Sequence, residues 1–266
     1  MQYKKASEIN VKVASIQLEI KDTETKEQRI ERVDALLDTL KGQDLIVLPE
    51  IWATGWFSFD RYIAESEPID GPFVQRFSAK ARELGAYLFA GSFVEREGDK
   101  YYNTSILFDP QGKTVGTYRK IHLFRYKARE GEILTRGEEI RVFDTSFGKV
   151  GLATCYDLRF PELFRKMVDL GAKFFLVTSA WPHARVNHWN LFNAARAVEN
   201  QCYLISSNCV GTTQNVLMGG HSQIVDPWGT VVASGGLLET VVKTEIDPGE
   251  IDRIREVFPQ LKHRVL

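Results

Sequence analysis

The stretch GKVGLATCYDLRFPELF, residues 148–164, holds an apolar, β-branched run that stops at a cysteine, and Pro161 follows at a position suited to open a helix. Val150 to Cys155 therefore reads as a buried strand and Pro161 to Leu170 as a helix, which sets Cys155 at the mouth of a sheet. The alternation continues downstream: Phe174 to Thr178 is a strand, His188 to Asn200 a helix and Tyr203 to Ser206 a strand. SQIVDPWGTVVAS (222–234) is then a hairpin turning through Asp226, Pro227, Trp228 and Gly229. Upstream, the same order is written once before. Lys12 to Gln17 is a strand, and Ile30, Val33, Leu36, Leu37 and Leu40 recur at helical spacing over residues 24–41. Leu45 to Leu48 has the continuous apolar character of a central strand, Pro72 to Leu84 is helical, and Tyr87 to Val94 is a strand. SILFDPQGKTVGTY (105–118) closes that half as a hairpin through Asp109, Pro110, Gln111 and Gly112.

Two halves in the same order read as an internal duplication. Alternating strands and helices with added hairpins predict an α/β protein in which each half is a mixed sheet covered by helices on one face. Apolar faces left on the two sheets must bury each other, which predicts a four-layer α-β-β-α sandwich. No Ser/Gly/Pro-rich linker, low-complexity tract or block of like charge divides the chain, so residues 1–266 are expected to form one domain.

Composition narrows the function classes. The 34 basic and 35 acidic residues give a net charge of -1, which offers no field for nucleic acid or an anionic membrane and points to a small-molecule partner. The N-terminal MQYKKASEINVKVAS carries basic residues, but Gln17 and Glu19 break the apolar run that follows, so it reads as neither a secretory signal nor a membrane span. Three cysteines without framework spacing suit a reducing cytoplasm, in which Cys155 stays a free thiol.

Two more strand-like runs end in reactive residues: DLIVLPE stops at Glu50 and KTVGTYRK at Lys120. A free thiol with a pKa of about 8.5 is mostly protonated at neutral pH, so a cysteine nucleophile needs a base or a cation beside it. Glu50 suits the base if burial raises its pKa, and Lys120 suits the stabilisation of a thiolate or an oxyanion. The backbone N–H of Tyr156 adds a second oxyanion donor. Together these parts fit acyl transfer: attack on a carbonyl or nitrile carbon, a thioester, and hydrolysis by water that Glu50 activates.

LPEIWATGW around Glu50, YRKIHLF around Lys120 and CYDLRFPE around Cys155 resemble the three signature segments of the nitrilase superfamily of carbon–nitrogen hydrolases. The resemblance extends over nearly the whole chain, the helix HWN…ARAVEN included. It implies the duplicated sandwich, a Glu-Lys-Cys triad, no metal or organic cofactor, and dimers or larger homo-oligomers. It also implies a second, assisting glutamate, for which Glu130 stands in the corresponding place, although Arg136 in KAREGEILTRG occupies a position where members often have proline.

Plainer readings stand beside these. A cysteine ending a strand is often a core residue, Glu50 could face a helix N-terminus, Lys120 could be a surface lysine at a hairpin end, and Cys202 and Cys209 read as packing thiols. His122 reads as packing or hydrogen bonding near Lys120. The five histidines lack HxH or HExxH spacing and no CxxC is present, so no metal site is expected. GxGxxG, a P-loop and GxSxG are also missing, which argues against dinucleotides, nucleoside triphosphates and a serine nucleophile.

The loop SAWPHARVNHW (179–189) follows a strand that corresponds, in the duplication, to the one ending at Glu50. Arg185 suits a bidentate clamp on a substrate carboxylate or, alternatively, an ion pair within the chain; Trp181 suits a pocket wall or simple packing. The pattern resembles the superfamily branch that holds ω-amidases, which deaminate 2-oxoglutaramate and similar monoamides. The expected activity is thus a thiol-dependent amidase acting on a small linear amide acid. N-carbamoyl amidohydrolase, nitrilase and a non-catalytic binding protein of the same fold are the alternatives.

Overall fold

Residues 10–265 are described by a computed structural model, and the first nine residues, where the reading of the N-terminal segment begins, lie outside them. The first half runs β1 (Val11–Glu19), α1 (Lys26–Asp38), β2 (Leu45–Val47), α2 (Pro72–Leu84), β3 (Tyr87–Glu97), β4 (Lys100–Phe108) and β5 (Thr114–Arg119). A short α3 (Glu130–Ile133) leads to β6 (Val142–Thr145). The second half runs β7 (Gly148–Thr154), α4 (Pro161–Asp169), β8 (Phe174–Thr178), α5 (Val186–Asn200) and β9 (Tyr203–Ser207). After β10 (Cys209–Val210), β11 (Thr212–Thr213) and β12 (Val216–Leu217) come β13 (Gln223–Val225), β14 (Val231–Ser234), β15 (Thr240–Ile246) and α6 (Gly249–Val257).

The topology repeats. The path β1-β2-β3-β4-β5 is parallel, parallel, antiparallel, antiparallel, and β7-β8-β9-β13-β14 has the same sequence of pairings. Each half also gains an antiparallel edge: β6 beside β7, and β15 beside β1 over Val11↔Ile246 to Gln17↔Thr240. These two strands were not anticipated from the sequence.

Period-two alternation sorts side chains between two buried faces. Val13, Val47, Phe89 and Leu107 of the first sheet meet Leu152, Leu176, Ile205 and Ile224 of the second in one apolar layer. On the outer face of the first sheet, Ala14, Ile16, Ile46 and Leu88 take Val33 and Leu37 of α1 and Phe73, Phe77 and Ala81 of α2. Ala153, Phe175, Val177 and Leu204 take Leu163, Phe164 and Met167 of α4 and Trp189 and Ala197 of α5. The result is the expected α-β-β-α sandwich. A capping box between Thr25 and Gln28 starts α1, and Pro residues open α2 and α4.

Boundaries differ where local geometry intervenes. Cys155 is not the last residue of its strand but the first of a 3-10 turn, Cys155–Arg159, inserted before Pro161 opens α4. The helix expected from His188 begins at Val186. Ile251 and Ile254 of α6 are buried against the chain itself, whereas Val257 at its end and Phe258 just beyond it are exposed. Among the described residues, no helix is long and apolar enough to cross a membrane.

Candidate active site

Glu50, Lys120, Glu130 and Cys155 converge where the C-terminal ends of β2 and β8 meet across the two sheets. Glu50 follows β2, and its N–H donates to the Ser179 carbonyl just past β8 (3.3 Å). Ala180 N–H donates to Glu50 Oε2 (2.9 Å). Lys120 follows β5, and its ammonium donates to Glu50 Oε1 (2.8 Å) and to Glu130 Oε1 and Oε2 (2.8 and 3.0 Å). All three of these side chains are fully buried, and Cys155 is nearly so.

The close approach of strands here needs glycine. Gly91 lies at φ +73°, at a register shift between β3 and β4, and a Cβ there would sit 2.0 Å from the Pro49 carbonyl oxygen. Ile51 and Cys155 also adopt positive φ, 41° and 47°, which non-glycine residues seldom do. Strained backbone is thus gathered at the ends of the strands that deliver Glu50 and Cys155.

Asp157 holds the Cys155 turn. Its buried carboxylate accepts Thr154 N–H (2.9 Å), Tyr118 O–H (2.8 Å) and His122 N–H (3.1 Å), and lies 2.7 Å from His122 Nδ1. His122 stacks on Phe160 with centroids 3.7 Å apart, so it packs and hydrogen-bonds next to Lys120, as its position in the sequence suggested. The residues flanking Lys120 are thereby tied to the turn that carries the thiol.

Burial raises the Glu50 carboxyl above its ordinary range; Lys120 pulls it back and the charge of Glu130 adds to the rise. Burial works against the Lys120 ammonium, but Glu130 and Glu50 outweigh it and hold the lysine proton firmly. Burial and then the charge of Glu50 push the Cys155 thiol up, more than Lys120 draws it down. The resting group is therefore a thiol, not a preformed thiolate, and an attacking sulfur must lose its proton as it reacts.

An ionised carboxylate offers about four lone-pair positions. Glu50 Oε1 accepts from Lys120 and from Asn103 Nδ2 (2.8 Å), and Oε2 accepts from Ala180, which leaves one position free. Glu130 Oε1 accepts from Lys120 and Asn103 (3.0 Å), and Oε2 from Lys120 and Phe124 N–H (2.6 Å), which leaves none. The two glutamates are chemically unequal.

A narrow cleft of about 20 Å³ opens over Cys155, lined by Trp56, Phe124, Tyr156, Arg159, Ala180, Trp181, Pro182 and Arg185. Trp181 is both wall and anchor: its ring N–H donates to the Arg185 carbonyl (2.8 Å), and Asn208 holds its backbone N–H (2.6 Å). Tyr156 packs edge-on against Phe124. Arg185 lies over Phe124 (5.4 Å) and Arg159 over Trp181 (4.8 Å). Among the described residues neither arginine has a carboxylate within 4.0 Å, so the internal ion pair considered for Arg185 is not formed. Burial and the charge of Arg185 lower the proton affinity of Arg159, as expected for neighbouring cations without a counter-ion.

Arg159, Asn103, Trp56 and Phe124 were not singled out from the sequence. Arg159 lies inside CYDLRFPE, and a usable signal was its place four residues after the thiol. Asn103 is a buried amide in the strand KYYNTSILF, where asparagine is disfavoured unless it has work to do. Cys202 and Cys209 are buried unpaired thiols, as read. Among the described residues, no three His, Cys, Asp or Glu side chains group as a metal site would require.

The sequence profile described as carbon–nitrogen hydrolase matches residues 12–256. A 2-oxoglutaramate amidase of Paenarthrobacter nicotinovorans is 37% identical over 260 residues, covering 95% of this chain and 88% of the relative. A 2-oxoglutaramate amidase of Bacillus subtilis is 38% identical over 220 residues, covering 82% and 84%. The crystal structure of Saccharomyces cerevisiae Nit3, a member of branch 10 of the nitrilase superfamily, superposes with a TM-score of 0.89 at 33% identity, covering 97% of each chain.

Proposed function

The chain belongs to the carbon–nitrogen hydrolase family, and from that premise we propose that it is an ω-amidase-like enzyme that hydrolyses small linear amides ending in a carboxylate, such as 2-oxoglutaramate. The observation that carries the substrate class is the pair Arg159 and Arg185, two cleft-lining guanidiniums with no counter-ion among the described residues. A distal carboxylate supplies one, and the planar fork of arginine suits it.

The catalytic roles follow from the hydrogen-bond count. Glu50 has a vacant lone pair on Oε2 and a raised proton affinity, so it takes the Cys155 proton as sulfur attacks the amide carbon. The developing oxyanion is met by Lys120, one of whose N–H groups is released when a single proton is shared between the two Glu130 oxygens, and by the Tyr156 N–H near the start of the 3-10 turn. Collapse breaks the C–N bond; Glu50 returns the proton to nitrogen and ammonia leaves a thioester. Water then attacks the thioester, giving its proton to Glu50, and the carboxylic acid departs as the thiol is restored. Glu130 has no vacant lone pair and acts as a clamp that orients Lys120.

Loops and the 3-10 turn that follow strands of both halves line the cleft, which supports residues 1–266 working as one domain. The exposed, adjoining rings of Trp228 and Phe258 support assembly as a homodimer or larger homo-oligomer, and unpaired cysteines support a cytoplasmic setting. Sedimentation velocity checks the assembly. The decisive experiment is ammonia release from 2-oxoglutaramate and succinamate by the wild-type chain and Cys155→Ala. Turnover by the wild type alone is expected, and full activity in the variant refutes the proposal.

A further inference from the structure

Asn103, on β4, makes contacts that its surroundings alone do not explain. Its single Nδ2 donates to Glu50 Oε1 (2.8 Å) and Glu130 Oε1 (3.0 Å), the same two oxygens that Lys120 Nζ bridges at 2.8 Å each. The two carboxylates are therefore joined by two nitrogens, one charged and one neutral. Its backbone carbonyl also accepts the Lys120 N–H (2.9 Å). On the other side of the amide, Asn103 Oδ1 is buried without a hydrogen-bond partner. Leaving a buried carbonyl unpaired is costly, and turning the amide over would satisfy neither carboxylate and would set an oxygen against both. The side chain is held by its carboxylate contacts at the expense of its own oxygen.

We propose that Asn103 is a positioning residue that keeps Glu50 ionised, and so available as the base, by bridging it to Glu130 without adding charge. Two carboxylates around one ammonium carry a net negative charge in a dry site, where one of them tends to bind a proton. A proton on Glu50 would end its action on the thiol. Lysine in place of Asn103 would neutralise the pair and weaken the base, aspartate would add a third anion, and serine would reach only one oxygen. An NH₂ group, with two donors splayed from one nitrogen, fits both.

Other titratable groups that act on Glu50 are Cys155 on the turn after β7, Tyr62 in the loop after β2 and Cys209 on β10. Burial pushes the latter three up, so they stay neutral through the range in which Glu50 titrates.

This inference rests on the acyl-transfer reading above, and the test separates the two. The pH profile of kcat/KM for ammonia release from succinamate is measured for the wild type, Asn103→Leu, Asn103→Asp and Glu50→Gln, each checked for folding by circular dichroism. Losing a donor to a carboxylate moves the acid limb of Asn103→Leu upward by about one to two pH units, with activity largely recovered on the alkaline plateau. Asn103→Asp, which keeps the shape, moves it at least as far. An acid limb at the wild-type pH in either folded variant, or an even loss at every pH, overturns the proposal. Should Asn103→Leu not fold, the limb of Asn103→Asp decides. An active Glu50→Gln with an unchanged acid limb sinks the acyl-transfer reading itself; an inactive Glu50→Gln with unmoved Asn103 variants sinks only this inference.

Discussion

Lys120→Met removes the one cation from a buried cluster that holds two carboxylates. In the native site the ammonium contacts three carboxylate oxygens within 3.0 Å, and lysine and both glutamates are sealed from solvent. Methionine fills a similar volume, so the loss is electrostatic more than steric. Breaking a buried ion pair by removing one partner costs about 3–5 kcal/mol. Here one partner serves two anions, which places the cost near the upper end and the fall in Tm at roughly 10–20 °C. The cluster can escape part of this by binding a proton, and that makes the penalty depend on pH.

The sign follows from proton counts. Glu50 already has a raised pKa in the folded chain, and losing Lys120 raises it further, so the folded state binds more protons than the unfolded state above the ordinary carboxylate range. Unfolding free energy therefore falls as pH rises, by about 1.4 kcal/mol per pH unit for one extra proton. From pH 5.5 to 7.5, Lys120→Met should lose more stability than the wild type does, up to a ceiling of roughly 2.7 kcal/mol set by one extra bound proton over the two pH units. The wild-type lysine, whose own pKa is held high, contributes its stability throughout this window and loses it only in strong alkali. Guanidinium unfolding followed by tryptophan fluorescence at the two pH values is the assay. A variant as stable as the wild type at pH 7.5, with the same pH slope, would refute the electrostatic account of the cluster. Its kcat should fall by at least about 10²-fold, the usual loss when an oxyanion donor is removed.

Arg159→Met and Arg185→Met should each raise KM for succinamate by about 10- to 100-fold while leaving kcat/KM for neutral propionamide nearly unchanged; equal losses on both substrates would show that the arginines do not read a carboxylate. Gly91→Ala puts a methyl 2.0 Å from the Pro49 carbonyl at a left-handed φ, so it should destabilise the fold by about 2–4 kcal/mol and lower kcat by moving Glu50, and a normal melt with normal kcat would contradict this. Iodoacetamide should label Cys155 ahead of Cys202 and Cys209 because Cys155 alone of the three lines the cleft, and slowly at pH 7 because the resting sulfur is protonated. Mass spectrometry showing Cys202 or Cys209 labelled as fast, or labelling of Cys155 at the rate of a free thiolate, would be inconsistent with that environment.

Strands buried on both faces were the easiest part of this chain to read. Leu45 to Leu48, Phe174 to Val177 and Tyr203 to Ile205 are continuous buried runs of mainly apolar residues, because neither face meets water, and the two Asp-Pro turns mark their hairpins through local chemistry alone. The edge strands β6 and β15 escaped notice for the opposite reason. Their side chains are mostly exposed or half-exposed, and β15 finds its place only by pairing with β1 more than two hundred residues earlier.

The sequence by itself determined the order of elements, the duplication, and the residue types at three strand ends, since periodicity and turn chemistry act over a few neighbours. Only the tertiary structure decided that Glu50 keeps a free lone pair and Glu130 does not, that Asn103 bridges them, and that Arg159 joins Arg185 in the cleft. Those facts depend on which donors surround each atom and on how much water is excluded there. Both are set by strands and loops from opposite ends of the chain that meet only when the two sheets pack.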